Sequence, residues 1–99
     1  MITGRGTVAE SRELTEREVE EVIARCVSAA IYLEGCEPTA RAEAVSDIHD
    51  VARIVGAWGV PWARIRERLL RPVEAELVSR YGPVTGPERN RTFLEEFEA

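Results

Sequence analysis

The apolar residues between Thr15 and Leu33 recur at helical spacing, and this constrains the fold more than any other feature of the chain. Val19, Val22, Ile23, Cys26, Ala30 and Leu33 fall within about 100° of one another on a helical wheel. Val27 and Ile31 widen that stripe. A face this wide needs two neighbours to bury it, or one neighbour and a partner chain. The start of the helix is also marked. Thr15 followed by Glu18 is a capping box, and Leu14 before the cap with Val19 fits a hydrophobic staple. Glu16, Glu18, Glu20 and Glu21 crowd the first turns, where the helix dipole favours negative charge. Gly35 is a natural stop.

Two further helices follow. The second is predicted to begin near Pro38 or Thr39, since proline is tolerated where its missing donor is not needed. Ala44, Ile48, Val51, Ala52, Val55 and Trp58 form its apolar face, and Gly56 and Gly59 mark its end. The third is predicted from Pro61. Trp62, Ile65, Leu69 and Val73 make its first face, which Leu70, Leu77 and Tyr81 continue with some drift. Pro72 lacks a donor inside this pattern, so a kink or break is expected at Leu70–Arg71. Residues 82–91 hold two glycines and two prolines and read as a linker. A short final helix is expected from a second capping box, Thr92 and Glu95, with Phe93, Leu94 and Phe97 as its apolar face. The expected organisation is a flexible arm over 1–13, a helical core over 14–82, and a linker with a short helix over 83–99. The fold class is all-α, a small three- to four-helix bundle completed by oligomerisation.

The 99 residues allow one small domain with a modest core. No stretch of about 18 apolar residues occurs, so no membrane span is expected. Met1 to Arg12 carry no hydrophobic run, so no secretory signal is expected either. Cys26 and Cys36 are separated by mostly helical chain, roughly 15 Å at the helical rise. That is too far for a disulfide, so both read as reduced, in keeping with a cytoplasmic protein.

Two charged stripes stand out. Glu43, Asp47 and Asp50 share the outer side of the second helix. Hard cations take carboxylate oxygens, so these are the residues a divalent metal would use. Their ordinary role is a solvated acidic face. No metal or other cofactor is assigned, because no histidine stands at the offset that a two-metal helical site needs. Arg64, Arg68 and Arg71 form an opposite stripe on the third helix. They are placed to reach the acidic stripe within the chain or, in a symmetric dimer, across the interface. Arg66 falls near the apolar side of that helix, where an arginine lays its stem along the surface or meets an interface. His49, the only histidine, does not converge with the carboxylates and reads as a boundary residue with a local hydrogen bond rather than a general base. Cys26 lies on the core face and reads as packing. Trp58 and Trp62 straddle the Gly59–Pro61 turn and read as core or interface anchors.

Two fragments bear on nucleic acid. Leu14 to Glu20, Leu-Thr-Glu-Arg-Glu-Val-Glu, resembles the opening of LuxR-type DNA-binding domains over seven residues. Asp50 to Gly56, followed by Gly59-Val60-Pro61 and Ile65, is similar to the scaffold helix, turn and recognition helix of bacterial repressors. Its inter-helix spacing departs from theirs by a couple of residues. The resemblance implies Arg64, Arg68 and Arg71 as phosphate contacts. Charge weighs against it. The net charge is −5; residues 1–50 hold five arginines and eleven acids, and residues 51–99 hold eight arginines and seven acids. No half of the chain is strongly basic, as nucleic-acid binders usually are.

The sequence therefore reads as a small non-catalytic interaction or regulatory protein, a homo-oligomer with a protein partner. Trp58, Trp62, Arg66, Ile31, Phe93 and Phe97 are its candidate interface residues. The alternatives are a helix-turn-helix-like DNA-binding regulator, and a metal-binding protein or enzyme subunit that uses Glu43, Asp47 and Asp50.

Overall fold

Every element in the computed structural model is helical, over the described residues 15–35 and 37–99. The arm expected over 1–13, Leu14 of the staple and Cys36 lie outside the described residues. Helix α1 (Glu16–Leu33) starts as its capping box dictates. The Glu18 amide donates to Thr15 Oγ1 at 3.1 Å, and the Thr15 amide donates to Glu18 Oε1 at 3.2 Å. Two of the orphan amides at the helix start are thereby satisfied. Helix α2 (Pro38–Ala57) has its proline in the first turn, and a four-residue turn leads to the short helix α3 (Trp62–Ile65). Gly59, with φ 69°, takes the left-handed conformation in that turn, where a β-carbon would strain the backbone.

The break expected before Pro72 is a π turn instead. Residues Arg66–Leu70 form it, and the Arg71 amide donates to the Arg66 carbonyl five residues back. The helix then runs on as α4 (Arg71–Phe97). A π turn inserts one residue into the helical register. This is the source of the drift in the apolar stripe: consecutive Leu69 and Leu70 are both buried, and the stripe restarts through Val73 and Leu77.

Residues 82–91 are not a linker. Helix α4 is interrupted only at Gly82, whose φ of 92° and ψ of 172° are open to glycine and closed to other residues. Its two halves, 71–81 and 83–97, fold back on each other as a tight hairpin. Pro83 then sits in a first turn, where no donor is missed. Gly86 is the contact residue: a β-carbon there would lie 2.5 Å from Val78 Cα. The final helix therefore begins about nine residues earlier than Thr92. Thr92 is interior to it and donates its hydroxyl to the Glu88 carbonyl at 3.2 Å, so it caps nothing.

The hairpin carries the core to the chain's end. Phe93 and Phe97 are buried, with ring centroids 5.5 Å apart, and Phe97 lies 6.4 Å from the Trp62 ring. Helix α1 packs on both α2 and α4, and α2 packs on α4. The wide α1 stripe is thus divided between two neighbours within the chain. Val19, Val22, Cys26, Val27, Ala29, Ala30 and Leu33 are buried; Ile23 and Ile31 are half-buried. Two polar links tie the helices at the surface. Arg25 of α1 pairs with Asp47 of α2, and His49 Nε2 lies 3.1 Å from Glu96 Oε1 of α4. The hydrogen bond expected of His49 is therefore not local but joins distant segments. No helix among the described residues is long and apolar enough to cross a membrane.

Candidate interaction surface

The outer ridge of α1 separates two grooves. Ser28 and Tyr32, one helical turn apart, line both. On one side the groove lies against α2, holds about 440 Å³, and is walled by Glu43, Asp47 and Asp50 with Ala40. On the other it lies against α4, holds about 490 Å³, and is floored by Ile23, Ala24, Val27 and Ile31. Glu20, Glu76 and Arg80 edge this second groove, the last two paired at 3.3 Å. Tyr32 is 57% exposed, so most of an aromatic ring stands in solvent between an acidic wall and an apolar floor. Tyrosine brings a large contact area with few rotatable bonds and a polar tip, which suits it to interfaces.

The residues singled out from the sequence separate into two groups. Trp58, Phe93 and Phe97 are buried in this chain's own core, so a partner reaches them only if the core opens. Trp62, Arg66 and Ile31 remain at the surface. Trp62 is 43% exposed and carries the Arg66 guanidinium 5.8 Å from its ring centroid. Arg66 therefore lies along an aromatic face at the surface and is not buried against a carboxylate.

Two carboxylates of the acidic stripe are ion-paired at the surface, Asp47 with Arg25 and Asp50 with Arg53 at 3.0 Å. Among the described residues no group of three or more ligating side chains converges. Nor does the arginine stripe reach it. Among the described residues Arg64, Arg68 and Arg71 have no carboxylate partner, and Glu43 has no arginine. Cys26 is a free thiol within the core. Burial pushes it up to about 12, with Arg25 nearby opposing and Asp47 adding to the rise. It is protonated at neutral pH and serves packing, not nucleophilic attack.

Sequence reasoning passed over Tyr32 because it falls between stripe positions and carries no motif. No protein-family model matches this chain, and no curated protein or solved structure is detectably similar to it.

Proposed function

We propose that this is a small non-catalytic interaction protein, that its four helical segments form a bundle, and that its first partner is a second copy of itself. The observation that carries the reading is Tyr32, held exposed on the α1 ridge between an acidic and an apolar groove. Charge complementarity favours a second copy as occupant. Glu43 and the arginines at 64, 68 and 71 form no ion pair within the described chain. A two-fold axis brings such surfaces together twice, because each residue that meets its counterpart is met in return. The buried, reduced Cys26 suits a cytoplasmic seat. Regulation of a further protein partner through the same ridge is the natural role of such a module.

Sedimentation equilibrium across a concentration series tests this. The wild type is expected to self-associate. Tyr32→Ala should weaken association at least tenfold, as truncating a central aromatic does, while leaving the thermal midpoint near wild type. A wild-type chain that stays monomeric at several hundred micromolar contradicts the reading.

The second reading, a DNA-binding regulator, is favoured by one feature: the four-residue turn with left-handed Gly59 that leads into the unpaired arginines. Fluorescence anisotropy with duplex DNA at low salt separates the two. Binding lost on Arg64→Glu supports DNA; no binding removes it.

A further inference from the structure

We draw no further inference here: the strongest candidate, the groove between α1 and α4 floored by Ile23, Val27 and Ile31, belongs to the surface already described, and nothing in the structure shows what else covers it.

Discussion

The chain has two glycine- and proline-rich stretches, 56–61 and 82–87, and they behave differently. The first is a turn as its composition suggests: α2 ends at Ala57, Gly59 takes the left-handed conformation, and a helix restarts after Pro61. The second contains more breakers yet interrupts the helix at one residue, Gly82. The difference lies in what each glycine faces. A β-carbon on Gly56 would meet nothing within 4 Å, whereas one on Gly86 would strike the Val78 backbone. Glycine can therefore mark a helix that must approach another backbone closely, as well as one that must stop. Proline can sit in a first turn as well as after a last one. Composition locates such positions but does not say which use is made of them; the packing partner does.

This contrast accounts for what was legible. Local signals were read well because their cause is local: the Thr15–Glu18 box and the Pro38 start depend on residues within one turn. The helical stripe of Val19 to Leu33 was likewise legible, though its width reflected two neighbours within the chain and did not require a partner. The hairpin was not legible, because Gly86 means close approach only once Val78 is known to lie opposite. The residues that depend on it were misplaced with it. Without the hairpin contact the pattern reads Thr92 as a cap, Phe93 and Phe97 as the apolar face of a short helix offered to an interface, and Asn90 as linker. On the candidate surface, the acidic and arginine stripes were visible as stripes. Their partners were not: Arg25 comes from another helix at a separation no motif records.

The largest test of the contrast is Phe93→Ala. If the segment after Gly82 were a loosely docked tail, truncation there would cost little. As core, it should cost about 3–5 kcal/mol in denaturant unfolding. Next is Gly86→Ala, which forces backbone apart and should cost about 3 kcal/mol. A cost under half a kilocalorie would mean the two arms are not in contact. Gly82→Ala should cost about 2 kcal/mol from backbone strain alone, with nothing near the added carbon to clash. Smallest, and opposite in sign, is Gly56→Ala. It fills open space in a helix and should raise stability by about 0.5–1 kcal/mol, seen as a higher thermal midpoint.

The proposed self-association is tested most directly by exchanging charge between the two stripes. Glu43→Arg and Arg64→Glu are made in separate chains, and each is measured alone and in equimolar mixture by sedimentation equilibrium. In a two-fold dimer that sets the acidic groove of one copy against the arginine face of the other, each variant alone meets like charge and should dissociate. The mixture meets opposite charge at both contacts and should associate again, close to the wild-type constant. Variants that self-associate as the wild type does, or a mixture no tighter than either variant alone, would contradict it.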